Sequence, residues 1–252
     1  MRNGAMSVTR SPAFAVAAFC IASVTPCLAE KSDGAMQTYN RLLAKYVTAS
    51  GVKYSEWKSN AADVQALQSV VDAIANGKIS SFNQKEALAA YINAYNAWIL
   101  REALGKYPTK SVKDVLFTFF TGKRIKVAGE EMSFNHLEKD VIRSKFSDPR
   151  VHFALNCASR SCPPLNLEAF RGDKLDEQLE KLARRFVNSE NGVNYSAEKK
   201  SAELSAIFDW YKDDFEGEGG PVAFINKRRE TPLPNDTKIS YQKYDWSLNE
   251  AK

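Results

Sequence analysis

Histidine and cysteine are scarce: the 252 residues hold two of the first and four of the second. They are too few and too scattered to reproduce a zinc-ligand spacing, so no metal and no cofactor is implied. Charge of one sign is scarce as well. The formal net charge is only +5, basic residues interleave with acidic ones, and the nearest thing to a cluster, Lys227-Arg228-Arg229, reads as a solvated helix face. Nucleic acid is therefore not an implied partner. Repeats, low-complexity tracts and long Pro/Gly/Ser linkers are missing beyond residue 29, which argues for one domain. Apolar runs of membrane length are missing too, since Ala13 to Val24 covers about a dozen residues and a bilayer needs roughly 20.

That short run has another use. Arg2 and Arg10 precede it and Cys27-Leu28-Ala29 closes it with a small-x-small pattern, so residues 1–29 read as an export signal and the mature chain begins near Glu30. Losing those two arginines, and no acid, takes the formal charge from +5 to +3. Residues 30–252 then form an exported chain, periplasmic or secreted, with no transmembrane segment. Two thiols remain in it, Cys157 and Cys162, in a compartment where disulfides persist.

Periodicity predicts an α+β fold of several helices packed on a small antiparallel sheet. Val64, Leu67, Val70, Val71 and Ile74 follow a helical period up to Asn76-Gly77. Asn83 and Glu86 read as a capping box opening a helix of about twenty residues, which Gly105 and Pro108 close. On it, Asn93 and Asn96 lie beside the apolar stripe of Leu88, Ile92, Tyr95 and Ile99. Ile125-Lys126-Val127 and Met132-Ser133-Phe134 read as a hairpin. Asn135 and Glu138 suggest a second capping box, with a helix to about Lys145. Val151 to Asn156 reads as a buried strand and Cys157 to Pro164 as a constrained loop. Further helices are expected around Leu175–Phe186, Leu204–Tyr211 and Val222–Arg228, and a terminal strand around Ile239–Tyr244.

The stretch from Asp148 to Pro164 holds His152, Cys157 and Cys162 within seventeen residues. A thiol becomes a nucleophile when a neighbouring histidine or dipole lowers its pKa and a third group orients that base. Cys157, His152 and Glu138 supply those types, and His136 is the alternative base. Residues 152 and 157 differ by five, so an unbroken strand would put them on opposite faces; they meet only if the backbone bends near Asn156. Asn93, Asn96 and Arg150 are candidate binding residues for a small-molecule or peptide-like ligand. Each has a structural reading beside the functional one: Glu138 as a cap, the asparagines as core hydrogen-bonding groups, Arg150 as a partner of a nearby carboxylate. The cysteine pair likewise reads as a disulfide closing a small loop stiffened by Pro163-Pro164. Two functions stay open, a cysteine-dependent hydrolase or acyltransferase using Cys157 and His152, and a non-enzymatic periplasmic binding protein with a structural Cys157–Cys162 disulfide. Thiol redox chemistry is a third, at a C-x4-C spacing wider than the usual C-x-x-C.

Four blocks together, Tyr91-Ile92-Asn93-Ala94-Tyr95-Asn96-Ala97, Asn135-His136-Leu137-Glu138 with Ile142-Arg143, Asp148 to Pro164, and Tyr244-Asp245-Trp246-Ser247-Leu248-Asn249, resemble the domain of unknown function 547 family over roughly residues 84–249. The resemblance implies a domain and no activity. Ala158 stands where that family's loop pairs Cys with Gly.

Overall fold

In a computed structural model that describes residues 1, 28–113, 120–122 and 124–252, helices dominate and strands are short. The export signal expected over residues 1–29 falls almost entirely outside the described residues. Helix α1 (Leu28–Tyr46) leads through a two-residue hairpin, β1 (Val47–Thr48) and β2 (Gly51–Val52), into α2 (Tyr54–Ser59) and α3 (Ala61–Asn76). α1 packs along α3 and buries Tyr39, Leu42, Leu43 and Tyr46. The central helix, α4 (Gln84–Lys106), opens on the expected capping box: Asn83 accepts from the Glu86 N–H while the Glu86 carboxylate accepts from the Asn83 N–H. It ends at Lys106, with Tyr107 extended ahead of Pro108. From Leu88 onward it is buried on several sides. That explains why a second, polar-containing face runs beside the apolar stripe: both are interior.

β3 (Ile125–Val127) and β4 (Glu130–Met132) form a hairpin where one was expected, but its second strand starts two residues earlier, at Glu130, which lies opposite Val127 across a two-residue turn. The next segment departs from expectation. Asn135 makes no side-chain cap; the Ser133 hydroxyl accepts the His136 N–H instead. His136–Arg143 winds as a π-helix, followed by an α turn over Ser144–Phe146. Glu138 is thereby free to point inward.

The strand expected over Val151–Asn156 is a 3-10 helix over Pro149–Phe153. A short apolar run fits a buried strand or a buried helical turn equally. Here Pro149 at the first turn and the Asp148 carboxylate accepting the Arg150 N–H decide for the turn. Phe153 fixes it against Phe186, Phe208, Phe215 and Phe224, at ring centroid distances of 5.3 to 6.3 Å. Each buried ring of this kind contributes roughly 1.5–3 kcal/mol.

α5 (Leu175–Val187) supplies Phe186 and packs on that turn. β5 (Val193–Ser196) and β6 (Ser201–Leu204) form a further hairpin, so Leu204 ends a strand and does not start the helix expected there. The short helices α6 (Ile207–Trp210) and α7 (Pro221–Asn226) then bring the chain back to β7 (Lys238–Tyr241), which lies parallel to β6. The architecture is α+β, but its strands form three small sheets, and β7 is parallel because a helical crossover separates it from β6. Among the described residues no helix is long and apolar enough to cross a membrane.

Candidate active site

Asn156 organises the cysteine loop. Its backbone N–H donates to the Asn96 side chain at 2.9 Å, and the Asn96 amide donates to Ala154 O at 2.8 Å, so α4 grips the segment on both sides of Leu155. The Asn156 amide donates to Pro163 O, while its oxygen accepts from the Ala158 N–H, both at 2.8 Å. One side chain therefore ties the loop's two ends and its tip. Ala158 takes φ +61°, the left-handed region in which glycine is at ease. The backbone thus bends beside Asn156, at Ala158.

A strap from the far end of the chain covers the loop. Arg160 N–H donates to Ser247 O, Asn249 N–H to Ala158 O, and Asp245 N–H to the Ser161 hydroxyl, at 2.8 to 2.9 Å. Asp245 fixes its own turn by accepting from Ser247 N–H and Oγ. Tyr244 is thereby delivered to the thiols. Its hydroxyl lies 3.4 Å from Cys157 Sγ and 3.1 Å from Ser159 Oγ, which is itself 3.0 Å from Cys157 Sγ.

Cys157 and Cys162 are unbonded thiols whose sulfurs sit 2.7 Å apart, and the Cys157 N–H donates to Cys162 Sγ at 2.9 Å. Cys157 is half-buried and Cys162 buried. Burial alone would push the Cys157 thiol up, but hydrogen bonds from Cys162, Ser159 and Tyr244 outweigh it and bring the thiol down to about 7. For Cys162, burial and the adjacent Cys157 sulfur act together and push the thiol well up.

Both sulfurs face a cleft of about 340 Å³, whose walls include Tyr95, Glu138, His152, Trp210, Tyr211, Tyr244 and Trp246. His152 is buried and stacks on Tyr211 with centroids 4.0 Å apart. Its Nε2 lies 2.7 Å from Asp214 Oδ2. A carboxylate only accepts, so Nε2 carries the hydrogen and Nδ1 is the atom left for proton transfer. Arg143 clamps the same carboxylate through Nε at 2.7 Å and a terminal nitrogen at 2.9 Å. The bond from His152, then the one from Arg143, hold Asp214 well below the usual carboxylate range. Glu138 accepts from the Tyr211 hydroxyl at 2.7 Å and from Tyr95 at 3.4 Å.

The expected catalytic residues Cys157, His152 and Glu138 therefore share one cleft, although no hydrogen bond joins His152 to Cys157. The group orienting His152 is Asp214, with Glu138 on the neighbouring tyrosines. His136 is exposed and pairs with Asp140 at 2.9 Å, away from the cleft. Of the expected binding residues none reaches it. Asn93 clamps the backbone of Phe170, donating to its carbonyl at 2.9 Å and accepting its N–H at 2.8 Å. Asn96 holds residues 154 and 156 in the same way. Arg150 is a carboxylate partner, bound to Asp148 and Asp176.

Asp214, Tyr211 and Tyr244 escaped the sequence reading as site residues. His152 and Asp214 are 62 positions apart, and Cys157 and Tyr244 are 87 apart. Neither pairing leaves a local signal. The only hint was that Tyr244-Asp245-Trp246 formed one of the four resembling blocks.

Fold and site define an α+β protein whose candidate centre is a thiol pair in an aromatic-walled cleft. Residues 79–187 match the family described as Protein of unknown function, DUF547. The match holds α4, the π-helix, the 3-10 turn and the cysteine loop; the Tyr244–Asn249 strap lies beyond it. No curated protein and no solved structure matches the chain.

Proposed function

We propose that this is an exported, cysteine-dependent acyl-transfer enzyme, a hydrolase or transferase, with Cys157 as nucleophile and His152, oriented by Asp214, as acid and base. The observation that carries the reading is a Cys157 thiol held down to about 7 on the wall of the cleft that also holds the His152–Asp214 pair. A thiol of that kind is about half ionised at neutral pH, and His152 Nδ1 takes the proton that it gives up. The thiolate adds to the acyl carbon, forming a C–S bond. The leaving group departs with a proton from His152, and His152 then takes a proton from the water or acceptor that cleaves the thioester and restores the thiolate. Tyr244 stands close enough to the sulfur to donate to the oxyanion that forms beside it.

An activated ester such as p-nitrophenyl acetate tests the reading. The expected results are a burst of nitrophenol, a thioester on Cys157 found by peptide mapping, loss of both in Cys157→Ala, and slower thioester turnover in His152→Gln. Hydrolysis at the same rate in wild type and Cys157→Ala, with no adduct, would sink it. The export half is read separately: mature protein should start near Glu30 and fractionate outside the cytoplasm.

The alternative, a non-enzymatic binding protein, draws on the cleft's apolar character. Trp210, Tyr244 and Trp246 pack against one another with ring centroids 4.5 to 5.9 Å apart. Such a wall suits a ring or an apolar side chain of a small-molecule or peptide-like ligand.

A further inference from the structure

The proposed acyl transfer uses one thiol, yet two are built into the cleft wall. Cys162 is not incidental packing. Its sulfur accepts the Cys157 N–H at 2.9 Å and touches Cys157 Sγ at 2.7 Å, and Asn156 fixes the loop that spaces the two residues by bonding its start, tip and end. The pair is also asymmetric, with Cys157 half-buried and Cys162 buried at 8% exposure. This arrangement suits thiol–disulfide exchange: a more exposed sulfur for a substrate to meet first, and a more buried one in contact with it.

We propose that Cys157 and Cys162 form a thiol–disulfide exchange pair, Cys157 attacking a disulfide presented in the cleft and Cys162 resolving the product. In the first step the Cys157 thiolate bonds to one sulfur of a disulfide R–S–S–R′ and R′–S⁻ leaves. In the second, Cys162 gives its proton to solvent and bonds to Cys157 Sγ, and R–S⁻ leaves. Two electrons pass from the thiol pair to the substrate, which ends as two thiols, and the protein ends with a Cys157–Cys162 disulfide. An external dithiol restores the pair by the reverse exchange. The opposite shifts of the two thiols, Cys157 down and Cys162 up, suit this division: the first is nucleophilic at neutral pH and the second keeps its proton until a mixed disulfide lies beside it. The inference rests on the same Cys157 nucleophile as the acyl-transfer reading, but not on His152.

The test mixes the reduced mature chain, residues 30–252, whose only thiols are Cys157 and Cys162, still native, with 5,5′-dithiobis(2-nitrobenzoic acid) as the disulfide probe. Wild type is expected to release two equivalents of the coloured thiolate and to yield a Cys157–Cys162 disulfide on peptide mapping. Cys162→Ala is expected to stop at one equivalent and retain the aryl group on Cys157. Wild type that stops at one equivalent, wild type that ends with one aryl group on each cysteine, or wild type that releases none would each overturn the proposal. The wild-type result decides even if Cys162→Ala folds poorly. The ester probe separates the two readings: acylation of Cys157 without formation of the internal disulfide removes only the exchange pair, whereas a Cys157 inert to both probes removes both readings.

Discussion

At the residue scale, both proposed reactions run through Cys157, and its neighbours set its charge. The rate of alkylation by iodoacetamide should rise through a midpoint near 7, where an ordinary thiol titrates near ~8.5. Tyr244→Phe removes one hydrogen bond to the sulfur, so the thiolate is less favoured and the midpoint should move up. An ordinary midpoint in wild type, or no movement in the variant, would contradict this account of the site. Ala158 offers a second test, this time of backbone. At φ +61° and wholly buried, glycine relieves strain but gives up a buried methyl and adds freedom to the unfolded chain, each about 1 kcal/mol. Ala158→Gly should therefore stay within about 1 kcal/mol of wild type in urea unfolding, whereas the β-branched Ala158→Val should cost about 2 kcal/mol or more.

At the element scale, two devices hold the site, the asparagine clamps and the aromatic cluster behind the 3-10 turn. Asn93→Ala and Asn156→Ala each leave buried backbone groups unpaired and should cost roughly 1–3 kcal/mol. The two should differ in chemistry: only Asn156→Ala should also change Cys157 labelling, because Asn93 holds Phe170 and not the cysteine loop. Phe153→Ala should cost about 3–5 kcal/mol, read as a fall in the urea midpoint at unchanged slope. The sequence made α4 legible to its capping box, because caps and helical periods are local. It also made the β3–β4 hairpin and the cysteine loop legible. It did not separate a buried 3-10 turn from a buried strand at Val151–Phe153, where Pro149 and Asp148 decide. Asn93 and Asn96 stand out beside the apolar stripe, but the backbone they clamp lies between 58 and 77 residues away, beyond the reach of periodicity. Glu138 was misread as a cap because Ser133, two positions before Asn135, takes the capping role in its place.

At the scale of the whole molecule, ionised carboxylates join distant parts of the chain. Asp63 accepts from Lys45, Arg41 and Tyr46, in that order of effect, and is held well below the usual carboxylate range; Asp214 is held low by His152 and Arg143. A folded pKa below the unfolded one means that the unfolded chain binds more protons as the pH falls. The stabilisation is therefore complete above about pH 4–5 and is lost below it. Urea midpoints should be level near neutrality and drop steeply in acid, and Asp63→Asn should start lower and drop less. Equal acid sensitivity in the two proteins would show that Asp63 is not a main source of it.

The strap has one more consequence. Because Tyr244 reaches Cys157 only after the intervening chain has folded between them, its share in lowering the thiol pKa belongs to the finished fold, while the larger shares of Cys162 and Ser159 belong to the loop itself. In a chain still folding, the same sulfur lacks the Tyr244 hydrogen bond and is the less reactive for it. Contacts at such long separation form slowly and together. The thiol reaches its full reactivity last, which spares a half-folded chain some of the reaction with whatever disulfides or acyl groups surround it.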